Sequence, residues 1–437
     1  MKNSGQILWR KAKKLIPGGS QLLSKRAEMF VPEVWPAYYS RAKGANVWDL
    51  DGKKYTDMSL MGVGACMLGY AEADVDGAVI ADAIKKGSMS TLNVPQEVEL
   101  AEVLLKIHPW AGMVRYARTG GESMAIAARI ARAHTGREII AFCGYHGWAD
   151  WYLATNLKTK DALAAHLLKG LEPKGVPKCL RGSIIPFRYN HPEELEAIIK
   201  KHGKLAAIIM EPLHGEEPKK GFLKQVRKLA DKAGAVLVFD EITMGFRLTL
   251  GGAHLKYGVM PDMAIFAKGM SNGYPMAAII GRKKIMQAAQ GTFISSTYWT
   301  EAIGPVAALA TIKKMREKKV QAKLATLGRT VRAIWMTAAK KHGLPIVASG
   351  PDPLLFFSFA QPDGQTVKTV FVTEMLKRGF LASNLYYASY AHTDADLKRY
   401  GCALNEVFAL IVKAQKEGRL QKLLKGPVAH TGFSRLN

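Results

Sequence analysis

Residues 235–269 read AVLVFDEITMGFRLTLGGAHLKYGVMPDMAIFAKG. Two short apolar runs in this stretch, 235–239 and 263–267, have the length and composition of buried β-strands. The first is followed by Asp240 and the second by Lys268. An aspartate at the end of a buried strand needs a cationic or donor partner, because burying an unpaired charge is costly. A desolvated lysine has a lowered pKa and becomes a nucleophile that can form a Schiff base.

Further apolar runs alternate with helical segments on either side of this stretch. The sequence predicts strands at 113–118, 138–143, 205–210 and 277–281, and helices at 94–105, 123–134 and 222–233. Short buried strands separated by helices indicate an α/β fold with a mostly parallel sheet covered on both faces. In such sheets the ligand binds at the carboxyl ends of the strands. We therefore expect Asp240 and Lys268 to lie at the ligand-binding edge.

The two ends of the chain differ from its middle. Beyond about residue 320 the sequence becomes Lys-rich and helical, which predicts a smaller α+β unit. The predicted elements of the two ends are a helix at 5–15, a hairpin at 45–58 with its turn at Asp51-Gly52, a strand at 354–359, and helices at 367–377 and 395–416. We place a domain boundary near 320.

A third feature with chemical meaning opens the predicted helix near residue 120. Residues 118–123 read RTGGES, and small residues at such a position let backbone N–H groups approach a phosphate at the positive end of a helix. Taken singly, the Asp, the Lys and the Gly-Gly pair each have an ordinary structural explanation. Together, a Schiff-base lysine, an acidic partner for a ring nitrogen and a phosphate cradle are typical of a pyridoxal phosphate (PLP) site.

The longest distinctive motif runs from Phe239 to Lys268. The motif stretches are FDEITMGFR at 239–247, LGG at 250–252, YGVMPD at 257–262 and Lys268, supported by CGYHGW at 143–148, MEP at 210–212 and AHTD at 391–394. On these stretches the sequence resembles the class III aminotransferases of the fold-type I PLP superfamily. Within them it is most similar to the glutamate-1-semialdehyde aminomutase branch, over nearly the whole chain.

This resemblance implies a fold-type I PLP transferase. The large domain, 61–320, would hold the mostly parallel sheet and the cofactor PLP. The smaller α+β domain would be formed by the C-terminal part, 321–437, with the N-terminal segment, 1–60. The implied activity is transfer of an amino group from an amino-acid donor to a keto or aldehyde acceptor, through the pyridoxamine form of the cofactor. The alternative is an intramolecular aminomutase with the same cofactor.

The resemblance also assigns roles to individual residues. Lys268 would form the Schiff base with the cofactor and later carry the proton between the substrate Cα and the cofactor C4′. Asp240 would pair with the pyridine nitrogen and keep it protonated. Tyr145 and Ile242 would pack against the two faces of the ring. The remaining implied cofactor-binding residues are Thr119, Gly120 and Gly121 at the phosphate, Thr297 reaching the phosphate of a partner subunit, and Glu211 near the cofactor. The role of Thr297 implies a homodimer with shared sites.

Three stretches depart from the pattern of the family. Thr119-Gly120-Gly121 stands where Ser-Gly-Thr is usual, so one hydroxyl is lost. Residues 297–302 read TYWTEA where the aminomutases carry Thr-x-Ser-Gly-Asn-Pro, and residues 17–26 also differ from the aminomutase pattern. The last two departures fall on the substrate side of the implied site. We therefore expect amino transfer, with a bulky Tyr298-Trp299 pair near the substrate or, alternatively, packed in the subunit core.

Composition excludes several classes of protein. The chain is 48% hydrophobic, too apolar for a disordered scaffold, and has no apolar run long enough to span a membrane. It carries 62 Lys and Arg against 36 Asp and Glu, a formal net charge of +26, which favours anionic partners or substrates. The more ordinary explanation of such an excess is a generally basic, solvated surface. A nucleic-acid-binding protein is a further alternative, but the basic residues are spread along the chain without a recognisable nucleic-acid-binding motif. We expect neither nucleic acid nor membrane as a partner.

The cysteines and histidines show no metal-binding spacing. Cys66 and Cys143 lie in apolar runs and are predicted to be buried. His146 and His214 have no second ligand at helical spacing, so we expect no metal. His214, which follows Glu211, could face the substrate or simply pack. Unpaired cysteines suit a reducing compartment, and the N-terminus does not read as a secretory signal, so we expect a cytoplasmic enzyme.

Overall fold

The computed structural model describes residues 3–433 and divides the chain into two compact units. One unit combines the chain up to Glu72 with the chain from Ala322 onward, and the other is Ala73–Gln321. We call them the terminal unit and the central unit. The domain boundaries predicted from the sequence, at 60 and 320, stay a prediction.

The described residues form fourteen strands. They are β1 (Tyr39–Lys43), β2 (Asn46–Asp49), β3 (Lys54–Asp57), β4 (Met113–Ala117), β5 (Ile140–Cys143), β6 (Ile184–Pro186), β7 (Ala207–Met210), β8 (Val236–Asp240), β9 (Met263–Phe266), β10 (Ala277–Gly281), β11 (Ile346–Ser349), β12 (Leu354–Phe359), β13 (Phe380–Leu381) and β14 (Leu385–Tyr387).

Thirteen α-helices lie in the same described range. They are α1 (Ser4–Leu15), α2 (Ala73–Val79), α3 (Gln96–Ile107), α4 (Gly120–Thr135), α5 (Asp150–Leu153), α6 (Pro192–His202), α7 (Phe222–Ala233), α8 (Ala253–Tyr257), α9 (Lys283–Met286), α10 (Ile303–Glu317), α11 (Val320–His342), α12 (Gly364–Lys377) and α13 (Asp394–Lys416). None of the described helices is long and apolar enough to cross a membrane.

The central unit is built on a seven-stranded sheet with the order β4-β10-β9-β8-β7-β5-β6. Strands β5 to β9 pair in parallel, whereas β10 runs antiparallel to both β4 and β9. The predicted α/β fold with a mostly parallel sheet is thus confirmed. The carboxyl ends of β5, β7, β8 and β9 share one edge of this sheet.

Alternating side chains of β8 explain why this strand is buried at the centre. Val236 and Val238 point into one apolar cluster, which includes residues of α4. Leu237 and Phe239 point into a second cluster, which includes residues of α7 on the opposite face. A strand covered on both faces has to be apolar throughout. Each such side chain stabilises the fold by roughly 1.5–3 kcal/mol, so a charge at Val238 would break the sheet.

The terminal unit contains two smaller sheets. One has the order β1-β2-β3-β13, in which the predicted N-terminal hairpin pairs in parallel with a strand from the C-terminal part. The other has the order β11-β12-β14. The helices predicted over 395–416 are one continuous helix, α13.

The two cysteines expected to be buried differ. Cys143 lies in β5 and is buried, as predicted. The expectation for Cys66 is wrong, because this residue is only partly buried. It lies among turns instead of in a strand, so the apolar run around it does not enclose its side chain.

Candidate active site

Asp240 and Lys268 lie at the same edge of the central sheet. Strands β8 and β9 are parallel neighbours with Asp240 opposite Ile265, so the chain after β9 leaves the sheet beside Asp240. Lys268 begins a short 3₁₀ turn and has a backbone φ of +46°. A non-glycine residue in this left-handed region costs energy, and such residues concentrate at functional sites.

The carboxylate of Asp240 is buried and hydrogen bonded on both oxygens. Oδ1 accepts from the backbone N–H of Ile242 at 3.0 Å, and Oδ2 lies 2.8 Å from Nδ1 of His146. The other ring nitrogen of His146, Nε2, lies 3.0 Å from the carbonyl oxygen of Cys143. A carbonyl can only accept, so Nε2 carries a proton, and an ionised Asp240 requires one on Nδ1 as well. The geometry thus fits a buried ion pair of aspartate and imidazolium.

The ε-amine of Lys268 is also held in one place. Its Nζ lies 2.8 Å from Oγ1 of Thr243. Burial lowers the pKa of Lys268, and the nearby charge of Arg247 lowers it further. The charges of Asp240 and Glu211 raise this pKa, but the net effect is a lowered pKa. A lysine with a lowered pKa is more often neutral, which is the nucleophilic form.

The residues predicted to bind the phosphate lie at the start of α4. Thr119 caps the helix in a capping box with Glu122, and the N–H groups of Gly120 and Gly121 follow in the first turn, where the helix supplies no acceptor. A Cβ on Gly120 would lie 2.8 Å from Cδ1 of Ile242. Glycine at this position therefore lets Ile242 approach the helix start, where an anion is favoured.

Tyr145 stands on the loop that follows β5. The residue is 42% exposed, and its ring meets the ring of Tyr152 edge to face. Burial, and to a smaller extent the charge of Asp240, raise the pKa of Tyr145. Further along this loop, Trp148 approaches the start of α4, because a Cβ on Gly121 would lie 3.1 Å from the indole.

Glu211 follows β7 and pairs with a histidine. Its Oε2 is hydrogen bonded to Nδ1 of His214. Burial lowers the pKa of His214, but the hydrogen bond and charge of Glu211, together with the charges of Glu216 and Asp240, raise this pKa overall. Behind the pair, the N–H of Gly144 donates to Nδ1 of His166, and burial lowers the pKa of His166 to about 4. His166 is therefore neutral at ordinary pH, while His214 is the more readily protonated of the two.

Within the described part of the single chain, Thr297 makes no hydrogen bond to the other predicted site residues; its carbonyl oxygen accepts from Thr300. It is exposed in the turn Thr297–Thr300. The backbone beyond it is fixed, because Nη2 of Arg118 donates to the carbonyl oxygens of Trp299 and Glu301 at 2.9 and 3.0 Å. Trp299 packs against the core of the central unit, whereas Tyr298 is 71% exposed. The core alternative therefore applies to Trp299 but not to Tyr298.

Comparison with known families agrees with this geometry. The profile of the family described as Aminotransferase class-III matches residues 30–384. The chain belongs to this family.

Curated relatives include both aminotransferases and aminomutases. A 3-aminobutyryl-CoA aminotransferase of Cloacimonas acidaminovorans is 33% identical over 93% of this chain and 97% of its own length. A glutamate-1-semialdehyde 2,1-aminomutase of Thermomicrobium roseum is 34% identical, over 91% and 96%. Among solved structures, the FumI protein of Sphingopyxis sp. MTA144, in its PLP internal aldimine form, superimposes with a TM-score of 0.86 at 26% identity, covering 95% of this chain and 98% of that one. The expectation of a PLP-dependent class-III aminotransferase with the fold-type I architecture is confirmed.

The side chains of this class-III aminotransferase fit its cofactor. Asp240 offers a carboxylate oxygen at the end of β8, and Lys268 offers an amine after the next strand, β9. Gly120 has no Cβ to clash with Ile242, so the N–H groups at the start of α4 lie beside that side chain. An acidic partner for the ring nitrogen, a lysine for the Schiff base and N–H donors for a phosphate are the groups that PLP requires.

Three residues of the site were not assigned to it from the sequence. The sequence shows His146 only as a histidine without a second metal ligand, and it shows Thr243 and Arg247 only as members of the motif at 239–247. Their roles depend on turns after β5 and β8 that bring them to Asp240 and Lys268. The only signal for His146 in the sequence is its position next to Tyr145.

Proposed function

We propose that this class-III aminotransferase takes the amino group from a donor that carries it on the third carbon of an acyl chain, and passes it to a keto or aldehyde acceptor. The observation that carries the proposal is the similarity to the 3-aminobutyryl-CoA aminotransferase, which spans nearly both chains. The departure from the aminomutase pattern at 297–302 supports transfer over rearrangement.

The charge of the chain supports an anionic substrate. Its formal net charge is +26, and a positive protein attracts anions over long distances. An acyl-CoA thioester carries several phosphate charges and belongs to this class of substrate. Small-molecule donors and acceptors with anionic groups are therefore the partners we propose.

We assign the same roles to the chain's residues as the resemblance implies. When bound, PLP supplies an electron sink for the negative charge left on the substrate carbon after proton loss. Lys268 would carry the proton between that substrate carbon and C4′ of the cofactor. Asp240, supported by His146, holds the proton on the pyridine nitrogen. The remaining proposed contacts are Tyr145 and Ile242 on the ring faces, Thr119, Gly120 and Gly121 at the phosphate, and Glu211 beside the ring.

We also propose a homodimer in which Thr297 serves the partner's site. The loop before Thr297 is anchored by its backbone, since Arg129 donates to the carbonyl oxygen of Phe293 at 2.9 Å. Its large side chains nevertheless face outward, with Phe293 85% and Tyr298 71% exposed. A fixed backbone that presents aromatic side chains to the surface is typical of an interface. The cytoplasmic location stays a prediction.

A half-reaction tests the type of chemistry. The holoenzyme is mixed with a single amine and no acceptor, and both the visible absorbance and the released product are followed. We expect loss of the cofactor's visible band with release of one equivalent of a 3-keto product from a 3-amino donor. Release of a keto product only from 2-amino acids would reject the proposal that the donor carries its amino group on the third carbon.

The aminomutase is the second candidate, and its curated relatives support it. An aminomutase would return an isomeric amine and release no free keto compound. The same half-reaction with glutamate-1-semialdehyde therefore separates the two activities.

Mixed dimers test the shared site. Lys268→Ala and Thr297→Ala chains are each first shown to be impaired and are then mixed. If Thr297 acts across the interface, one site of each mixed dimer carries both changes and the other carries neither. Activity should recover to roughly a quarter of the wild-type value, because half of the dimers have one intact site. A monomer, or no recovery in proven mixed dimers, would reject the model.

A further inference from the structure

We propose that the hydroxyl of Thr243 is a positioning residue for Lys268, which orients the ε-amine and exchanges donor and acceptor roles with it as the amine gains and loses its proton. The observation is direct: Nζ of Lys268 lies 2.8 Å from Oγ1 of Thr243. The inference rests on the proposed role of Lys268.

The turn that carries Thr243 is rigid. At its start, the N–H of Ile242 donates to Asp240 at 3.0 Å. At its end, Nε of Arg247 donates to the carbonyl oxygen of Thr243 itself at 2.8 Å. Because the backbone on both sides of Thr243 is held, the side chain starts from a fixed position near Lys268. Groups that are positioned before the reaction in this way assist it.

Glu241 fixes the same turn from behind. Its buried carboxylate accepts from the N–H groups of Ala253 and His254, at 2.8 and 2.9 Å, and from Nδ1 of His254 at 2.8 Å. Nε1 of Trp110 donates to Nε2 of His254 at 3.2 Å, so Nε2 is the unprotonated nitrogen and Nδ1 is the donor to Glu241. One turn therefore presents Asp240, Ile242 and Thr243 together.

The chemistry of a hydroxyl suits a lysine that changes charge. A protonated amine has only donors, so it needs an acceptor, whereas a neutral amine can also accept. Threonine serves both states by rotating its O–H. Arg247 is buried behind the same residue, and its charge favours the neutral amine. The pair of Thr243 and Arg247 thus orients Lys268 without locking it in the charged state.

Three variants separate this role from simple support of the turn. Thr243→Val removes the hydroxyl at nearly constant shape, and Thr243→Ser keeps it. Thr249→Val is the matched control, because its hydroxyl bonds the carbonyl oxygen of Gly252 in the same loop and is not bonded to Lys268. The readouts are kcat, KM, thermal unfolding, and the rate at which apoenzyme captures added PLP between pH 6 and 10, followed by the visible band.

We expect Thr243→Val to lower kcat about tenfold or more with KM changed less than about twofold, because a hydrogen bond to a charged group is lost. The pH midpoint of PLP capture should fall by about one unit, since the charged amine loses its acceptor. Thr243→Ser should restore both values to within about threefold, and Thr249→Val should change neither.

Wild-type values of kcat and of the capture midpoint in Thr243→Val would overturn the proposal. Equal losses in Thr243→Val and Thr249→Val would also overturn it, because they would show a structural role for the loop. Lys268→Ala distinguishes this failure from that of the site itself. If Lys268→Ala keeps the visible band and turnover, the assignment of Lys268 is wrong, whatever Thr243 does.

Discussion

The buried pair of Asp240 and His146 gives the sharpest energetic prediction. At 2.8 Å and an effective dielectric constant of about 20, the gross attraction between the two charges is about 6 kcal/mol. Desolvation offsets much of this attraction, but removing one partner leaves the other charge buried. Such a loss costs about 3–5 kcal/mol. We therefore expect His146→Gln to lower the stability of the apoenzyme by about this amount.

A double-mutant cycle separates the pair from other effects of each change. The free energy of unfolding is measured in urea for the apoenzyme of wild type, His146→Gln, Asp240→Asn and the double variant. Residues in one buried ion pair show a coupling of about 0.5–3 kcal/mol, so the double variant should be destabilised by less than the two single changes combined. Additivity within about 0.5 kcal/mol would refute the argument that both nitrogens of His146 carry protons against an ionised Asp240.

Three further outcomes follow from the same geometry. Asp240→Asn should retain bound PLP but lose most turnover, because an amide does not hold the ring nitrogen protonated. Unchanged turnover would show that Asp240 has only a structural role. Gly120→Ala should weaken PLP binding about tenfold or more in a spectroscopic titration, because its Cβ would lie 2.8 Å from Cδ1 of Ile242. The control variant Gly77→Ala should bind PLP normally, because a Cβ there would meet only open space. The pKa of Lys268 is lowered in the folded protein, so the unfolded chain binds more protons at a pH between the two pKa values. The stability of the apoenzyme should therefore rise with pH from the lowered pKa towards the unfolded value of about 10.4. The same slope of stability against pH in a Lys268→Met variant would contradict this.

The sheet was predictable because its central strands are almost entirely apolar. Runs such as those of β8 and β9 can satisfy their side chains only between two layers of helices. The charged residues after them, Asp240 and Lys268, then had to lie at the same edge. Sequence periodicity also located α7, which has the predicted bounds Phe222–Ala233.

The partners of the two charged residues could not be predicted in the same way. His146 reaches Asp240 across 94 positions, and Thr243 reaches Lys268 across 25. Both contacts depend on the path of a turn after a strand, and turns have no hydrophobic periodicity to define them. The sequence also did not predict whether Tyr298 is exposed, because aromatic side chains occur both in cores and at interfaces.

Chemical trapping of the cofactor tests the role of Lys268 most directly. The purified holoenzyme is reduced with borohydride, which converts a Schiff base into a stable secondary amine, and its peptides are mapped by mass spectrometry. We expect one modified peptide, with the cofactor on Lys268, and none in the Lys268→Ala variant. Modification of a different lysine, or of the Lys268→Ala variant to the same extent, would contradict the site described for this aminotransferase.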